Sequence, residues 1–164
     1  MDRRDFLKCT LTLAALAPLA RLTAQTGAAA AGADAGTENG KLTRRRFRDT
    51  DLTLPLLGFG LMRLPETEGK IDRAAARKMV DRAMAAGCNY FDTAYPYHGG
   101  MSERVIGRVL KDYDRQSFYL ATKYPGHQIS DSYDPAAIFE EQLRNCGVEY
   151  FDFYLLHNVY EKSV

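Results

Sequence analysis

The chain has 164 residues, of which 22 are Lys or Arg and 21 are Asp or Glu, so its formal net charge at pH 7 is +1. With 46% apolar residues the composition is that of a globular protein. It excludes an intrinsically disordered chain and a strongly basic nucleic-acid-binding protein. Chains of about 100 to 200 residues usually form one domain, so the length predicts a single domain.

The N-terminal segment has the pattern of an export signal. Residues 3–8 are Arg-Arg-Asp-Phe-Leu-Lys, and an uncharged stretch rich in Ala and Leu runs from Cys9 to Ala20. This stretch is too short to cross a bilayer as a helix, which needs about 20 residues. The order of basic, apolar and small residues is typical of a secretory signal, and the paired arginines resemble the twin-arginine motif. We predict a signal peptide over residues 1–24, a partnership with the twin-arginine export machinery, and a periplasmic location. The alternative is a frayed amphipathic N-terminus.

A linker is predicted to separate this signal from the folded part of the chain. Residues 25–41 are rich in Ala and Gly and show no hydrophobic periodicity, which favours a disordered linker. The folded part is expected over residues 42–164. Its two cysteines, Cys88 and Cys146, form no C-x-x-C motif, so we expect free, buried thiols and no metal site.

The first predicted elements of the folded part are a hairpin, a strand and a helix. Residues 45–54 favour a hairpin, and residues 54–59 favour a short apolar strand. A helix is predicted from an N-cap at Asp72 to Gly87. Its apolar residues recur every four positions, at Ile71, Ala75, Met79 and Ala83.

Two more helices alternate with three more strands. Residues 88–93, 117–122 and 151–156 are short apolar runs and predict the second, third and fourth strands. The second helix begins at Ser102 and Glu103 and has an apolar face of Val105, Ile106, Val109 and Leu110. The third begins at Asp134 and Pro135, ends at Gly147, and has an apolar face of Ile138, Phe139 and Leu143.

This alternation predicts an α/β fold. Strands that are apolar on both faces and separated by single helices indicate parallel βαβ units with right-handed crossovers. Two architectures fit the pattern, an open doubly wound sheet and a (β/α)8 barrel of about 250 residues. The pattern alone does not choose between them.

An ionisable residue stands at the end of three successive predicted strands, namely Asp92, Lys123 and His157. In parallel α/β folds the carboxyl ends of all strands open onto one face, which carries the active site in barrels. Tyr97 lies in the loop after Asp92 and can reach the same rim, that is, the face formed by the carboxyl ends of the strands. Tyr95 is the alternative tyrosine for any role at this rim. Each residue alone has a structural explanation, but four such residues at one rim favour a catalytic site.

The four residue types suit proton donation to a carbonyl group that accepts a hydride. A phenol is a weak acid at neutral pH, and an ammonium group held in place by a carboxylate stabilises the phenolate. A neutral imidazole donates a hydrogen bond to a carbonyl oxygen and orients it. Carbonyl reduction needs these groups together with a hydride from a cofactor.

These residues resemble the aldo-keto reductase family. The family's motifs are matched in order and spacing by Phe91-Asp92-Thr93-Ala94, Tyr97, Ser102-Glu103, Leu120-Ala121-Thr122-Lys123 and Leu155-Leu156-His157. The resemblance implies a (β/α)8 barrel of TIM type, of which this chain holds the first four strands and three helices after an N-terminal hairpin. It also implies a nicotinamide cofactor, NADPH or NADH, and a small-molecule carbonyl substrate. The near-neutral charge predicts no nucleic-acid partner, and the short apolar stretch predicts no stable membrane span.

The resemblance also implies roles for individual residues. Tyr97 is the general acid, Lys123 and Asp92 tune it, and His157 orients the carbonyl. The nicotinamide end of the cofactor is expected near Asp92 and near the segment formed by Gly60, Leu61 and Met62.

Residues 95–100 resemble a subgroup whose barrel is often followed by an extension that binds an iron-sulfur cluster. This sequence has no cysteine cluster of that kind, so such a cluster is expected only if a longer native chain carries the extension. Two alternatives remain. One is a non-catalytic truncated half-barrel or interaction fragment, and the other is a metal-dependent hydrolase that uses Asp92, His98 and His157.

Overall fold

The structure is a computed structural model that describes residues 42–126 and 134–159. The predicted signal peptide and linker lie outside the described residues. The α-helices of the described part are α1 (Arg73–Ala85), α2 (Met101–Leu110) and α3 (Pro135–Cys146), and two short 3-10 helices span Tyr97–Gly100 and Arg115–Ser117. The strands are β1 (Arg44–Arg46), β2 (Thr53–Pro55), β3 (Phe59–Gly60), β4 (Glu66–Thr67), β5 (Lys70–Ile71), β6 (Tyr90–Asp92), β7 (Tyr119–Tyr124) and β8 (Phe153–Leu156). Among the described helices, none is long and apolar enough to cross a membrane.

The central sheet has four strands in the order β3-β6-β7-β8, and all neighbouring strands are parallel. Helix α1 connects β3 to β6, α2 connects β6 to β7, and α3 connects β7 to β8. The strands therefore follow one another across the sheet in chain order. A doubly wound sheet reverses this order at a switch point, whereas a (β/α)8 barrel does not. The described sheet is a barrel segment, which confirms the predicted fold class.

The predicted N-terminal hairpin is present as the antiparallel pair β1 and β2. The Arg44 guanidinium donates hydrogen bonds to the Gly87 carbonyl oxygen at 3.3 Å and to Asn89 Oδ1 at 3.0 Å, just before β6. The Phe47 ring packs edge-on against Phe153 in β8, with the centroids 5.5 Å apart. The hairpin is therefore fastened at the amino ends of the strands, opposite the rim where the ionisable residues were predicted.

Helix α1 confirms the predicted cap, but of the predicted apolar face only Ala83 is fully buried. The Asp72 carboxylate accepts a hydrogen bond from the Ala75 backbone N–H at 2.9 Å. Met79 is exposed and Ile71 lies in β5, whereas the buried residues of α1 are Ala76, Val80 and Ala83. A spacing of four drifts by about 40° per step around a helix of 3.6 residues per turn. Residues at every fourth position therefore do not all face the core.

The hairpin of β4 and β5 was not predicted. Glu68 and Gly69 form its two-residue turn, with φ angles of +53° and +72°. Two left-handed residues are typical of a type I′ turn, which matches the twist of an antiparallel hairpin. The paired strands have only two residues each, too few to show a hydrophobic alternation.

Helices α2 and α3 pack against each other, and both contribute buried residues to the apolar core. The predicted apolar face of α2 is buried in full. In α3 the predicted cap Asp134 accepts hydrogen bonds from two backbone N–H groups, but the predicted apolar residues are only half-buried. The fully buried residues of α3 are Gln142 and Cys146. Cys88 and Cys146 are free and buried as expected, and burial raises the pKa of both thiols.

Candidate active site

The register of the central sheet brings Asp92 and Lys123 together. Asp92 ends β6 and lies beside Ala121 of β7, and Lys123 stands two residues further along β7 on the same face. Lys123 Nζ donates to Asp92 Oδ1 at 2.5 Å and to the Thr93 carbonyl oxygen at 2.7 Å. The strand was predicted to end at Thr122, but it continues to Tyr124. Lys123 is therefore held by the sheet itself.

The same ammonium group faces Tyr97. Tyr97 begins a 3-10 turn directly after β6, and its backbone N–H donates to the Ala94 carbonyl oxygen at 3.1 Å. Lys123 Nζ lies 5.0 Å from the centroid of the Tyr97 ring, within the range of a cation–π contact. Lys123 thus contacts both the carboxylate and the phenol-bearing ring.

His157 completes this cluster from β8. It follows the last residue of β8, and its backbone N–H donates to the Tyr124 carbonyl oxygen at 3.0 Å. Its ring meets the Tyr97 ring edge-on, with the centroids 5.6 Å apart and the planes at 87°. The structure therefore brings the four predicted residues of the rim into one cluster.

The structure distinguishes Tyr97 from its competitor Tyr95. The Tyr95 hydroxyl donates a hydrogen bond to Glu141 Oε2 in α3 at 3.0 Å. Burial and this bond raise the pKa of Tyr95. The Tyr95 phenol is bound to α3, whereas the Tyr97 ring contacts Lys123 and His157.

The predicted cofactor segment after β3 is only partly available to a ligand. A Cβ atom placed on Gly60 would meet no other atom within 4 Å, and Met62 is 54% exposed. Leu61 is 0% exposed, its N–H donates to the Asp92 carbonyl oxygen, and its carbonyl accepts from Ser102 Oγ. Leu61 is therefore part of the core. Of the three residues predicted in this segment, Gly60 and Met62 are accessible to a cofactor.

A buried polar network beneath the cluster was missed by sequence reasoning. Glu103 Oε1 accepts hydrogen bonds from Thr122 Oγ1 at 2.7 Å and from Gln142 Nε2 at 2.8 Å. Gln142 also donates to the Lys123 carbonyl oxygen at 3.1 Å and accepts from the Tyr154 hydroxyl at 2.7 Å. The network ties the backbone at Lys123 to α2 and α3. The available signal was a polar residue, Gln142, beside apolar positions on one side of the predicted third helix.

The geometry disfavours the metal-hydrolase alternative. His98 Nε2 accepts a hydrogen bond from the Leu64 N–H at 3.0 Å, and Nδ1 lies 2.7 Å from Glu66 Oε1. Both nitrogens of this histidine are therefore already engaged. Residues 42–126 and 134–159 contain no group of three His, Cys, Asp or Glu side chains suited to a metal ion.

The fold and the cluster define a barrel-type α/β protein with its reactive groups at the carboxyl ends of the strands. The sequence profile of the Aldo/keto reductase family matches residues 56–164. The chain belongs to this family of oxidoreductases.

Two curated relatives illustrate the similarity. The aldehyde reductase YPR1 of Saccharomyces cerevisiae is 32% identical over 111 residues, which cover 66% of this chain and 31% of the yeast protein. The NADH-specific methylglyoxal reductase of Escherichia coli is 29% identical over 128 residues, which cover 66% of this chain and 39% of that protein. The chain thus spans between 31% and 39% of the length of these two relatives.

Solved structures agree with this assignment. An aldo-keto reductase of Bacillus halodurans in its holo form superposes with a TM-score of 0.57 and 30% identity, over 70% of this chain and 40% of that one. An aldo-keto reductase of Klebsiella pneumoniae in complex with NADPH superposes with a TM-score of 0.56 and 25% identity, over 64% of this chain and 36% of that one.

Proposed function

We propose that the protein reduces an aldehyde or a ketone at the expense of NADPH or NADH, with Tyr97 as the proton donor. The observation that carries this proposal is the placement of Lys123. Its ammonium group lies 2.5 Å from the Asp92 carboxylate and 5.0 Å from the centroid of the Tyr97 ring. The rim therefore combines a phenol with a cation that stabilises its conjugate base.

Each residue of the cluster has a defined task in this reaction. The nicotinamide cofactor, when bound, supplies the hydride for the carbonyl carbon. As negative charge develops on the carbonyl oxygen, Tyr97 donates its phenolic proton to that oxygen. Lys123 stabilises the phenolate that remains, and Asp92 holds the ammonium group in place. His157 orients the carbonyl oxygen by a hydrogen bond.

The surroundings of the cluster fit the reacting end of such a cofactor. Gly60 faces open space, Met62 is exposed, and the Asp92 side chain is 30% exposed. The yeast relative is named an aldehyde reductase, and the Escherichia coli relative is named an NADH-specific methylglyoxal reductase. The Klebsiella structure contains NADPH. These names support carbonyl reduction with either cofactor.

The direct test is cofactor oxidation by the native protein with simple aldehydes and ketones, methylglyoxal included. We expect the absorbance of NADPH or NADH to fall only when a carbonyl compound is present. Lys123→Met is expected to lower kcat roughly ten- to a hundredfold, because a charge-assisted contact contributes about 1.5–3 kcal/mol. Lys78→Met is the matched control, since Lys78 is exposed on α1. A native protein that binds neither cofactor contradicts the proposal.

A second candidate is a non-catalytic fragment or interaction module. Large apolar side chains are exposed beside both edges of the central sheet, with Leu56 and Leu57 before β3 and Leu155 and Leu156 in β8. Exposed apolar edges favour pairing with other strands. The intact mass of the native protein and its reading frame beyond residue 164 distinguish the two candidates.

We also propose export to the periplasm through the twin-arginine machinery. The support is the Arg3-Arg4 pair followed by Phe6-Leu7-Lys8 and an uncharged apolar stretch. Replacing both arginines with lysine is expected to retain the protein in the cytoplasm, as measured by cell fractionation. The control is Arg45→Lys, which lies outside the signal and leaves export intact. Periplasmic protein from the doubly substituted chain would overturn this proposal.

A further inference from the structure

His98 directly follows Tyr97, yet its side chain contacts the segment between β3 and β5. The Leu64 N–H donates to Nε2, so this nitrogen carries no proton. Nδ1 must then carry the proton of the neutral ring and donate it to Glu66 Oε1 at 2.7 Å. The side chain is only 10% exposed. These two hydrogen bonds form a latch between the Tyr97 turn and the segment of Leu64 and Glu66.

The backbone at His98 adopts a conformation that needs such support. His98 has a φ of +53°, and Gly99 and Gly100 follow with +62° and +86°. A left-handed conformation is energetically unfavourable for a residue other than glycine. The two hydrogen bonds of the ring offset this cost. They hold the turn that connects Tyr97 to the first residue of α2.

The other end of the latch is anchored in the core. Leu64 is 5% exposed and packs in the apolar core. The next residue, Pro65, accepts a hydrogen bond at its carbonyl oxygen from the N–H of Asp72, the cap of α1, at 2.8 Å. His98 therefore joins the Tyr97 turn to a part of the chain that is fixed to α1. Leu64 and Glu66 lie in the segment of residues 60–66. This segment begins with Gly60 and includes Met62, near which the reacting end of the cofactor is expected.

We propose that His98 is a positioning residue that holds the Tyr97 turn at a set distance from the segment of residues 60–66. It touches no reacting atom and acts through Tyr97. The proposal rests on the proposed function, because the quantity it controls is the rate of proton donation to the carbonyl oxygen. Small displacements of a catalytic group lower the rate strongly, by about a hundredfold for 1 Å.

The first test compares three substitutions at this position. His98→Ala removes both hydrogen bonds, and we expect kcat to fall about ten- to a hundredfold while KM and the cofactor Kd change less than about threefold. His98→Asn keeps a donor near the position of Nδ1 and tolerates a left-handed backbone, and His98→Gln keeps an acceptor near the position of Nε2. We expect each to restore part of kcat, and they keep the test decisive if His98→Ala does not fold.

The partner residue supplies matched controls. Glu66→Gln keeps a carbonyl oxygen that accepts the hydrogen bond from Nδ1, so kcat is expected to stay within about threefold of wild type. Glu66→Ala removes one of the two hydrogen bonds of the latch, so kcat is expected to fall less than in His98→Ala. Glu68→Ala, in the turn of the same hairpin, is expected to leave kcat unchanged, since Glu68 is exposed.

The second test does not depend on activity. Nitrogen-15 NMR of the native protein labelled at histidine is expected to show a neutral ring protonated at Nδ1 for the signal that His98→Asn removes. A ring protonated at Nε2, or a His98→Ala protein with the kcat of wild type, overturns the positioning role. A wild-type protein that reduces no carbonyl compound while it shows the Nδ1 signal overturns the proposed function and leaves the latch geometry supported.

Discussion

Replacing Tyr97 with phenylalanine is expected to lower kcat for carbonyl reduction by about 10²- to 10⁴-fold, the range contributed by a positioned general acid. The substitution removes one oxygen atom and keeps the ring. The ring contacts therefore persist, with the His157 centroid at 5.6 Å and Lys123 Nζ at 5.0 Å. Cofactor binding is expected to remain, because the lost hydroxyl acts only on the carbonyl oxygen.

Tyr95→Phe is the matched control for this experiment. It removes the same atom two residues earlier, where the hydroxyl donates to Glu141. We expect a loss of about 1 kcal/mol in the free energy of unfolding and no loss of kcat. The measurements are steady-state oxidation of NADPH or NADH and the cofactor Kd from nicotinamide fluorescence. A Tyr97→Phe protein that keeps most of its kcat, or a Tyr95→Phe protein that loses as much, contradicts the role of Tyr97.

The positions of the rim residues were predictable because parallel strands end at a common edge. Each of the three strand-end residues, Asp92, Lys123 and His157, ends or follows an apolar run. Such a run is recognisable from the local sequence, without knowing which strand pairs with it. The parallel register then determines which side chains share a face. Three residues that lie 31 or more positions apart in the chain are therefore predictable from the sequence as neighbours of Tyr97.

Contacts that depend on several elements at once were not predictable in the same way. Gln142 reads as a polar position on a helix, and only the approach of α2 and β7 makes it fully buried. Glu103 reads as an acidic residue in the first turn of a helix, which is favourable on its own. His98 carries no periodic signal, since its two partners lie 34 and 32 residues away.

Replacing Gly107 in α2 with alanine is expected to destabilise the protein, although alanine has the higher helix propensity. In the interior of a helix, Gly→Ala normally stabilises by about 0.5–1 kcal/mol. A Cβ atom at Gly107 would overlap the carbonyl oxygen of Cys146 and would lie 2.6 Å from its carbonyl carbon and 2.8 Å from the Asn145 carbonyl oxygen. These neighbours are backbone atoms at the end of α3, so no side chain can rotate away. Helices α2 and α3 must separate.

Separation of these helices strains the network that supports Lys123. Glu103 lies on α2, whereas Gln142 and Asn145, which donate to its carboxylate, lie on α3. We therefore expect Gly107→Ala to lower the free energy of unfolding by about 3 kcal/mol, since overpacking alone costs about 1–3 kcal/mol and stretched buried hydrogen bonds add to it. Urea denaturation measures this change.

Arg108→Ala is the matched control, because Arg108 is exposed on the next position of α2, and its effect is expected to stay within about 0.5 kcal/mol. Gly107→Ala is also expected to lower kcat, since Gln142 holds the Lys123 carbonyl oxygen and moves with α3. A Gly107→Ala protein as stable as wild type would show that the two helices do not pack this closely. The stability change and the kcat change should therefore occur together, because one contact between helices controls both.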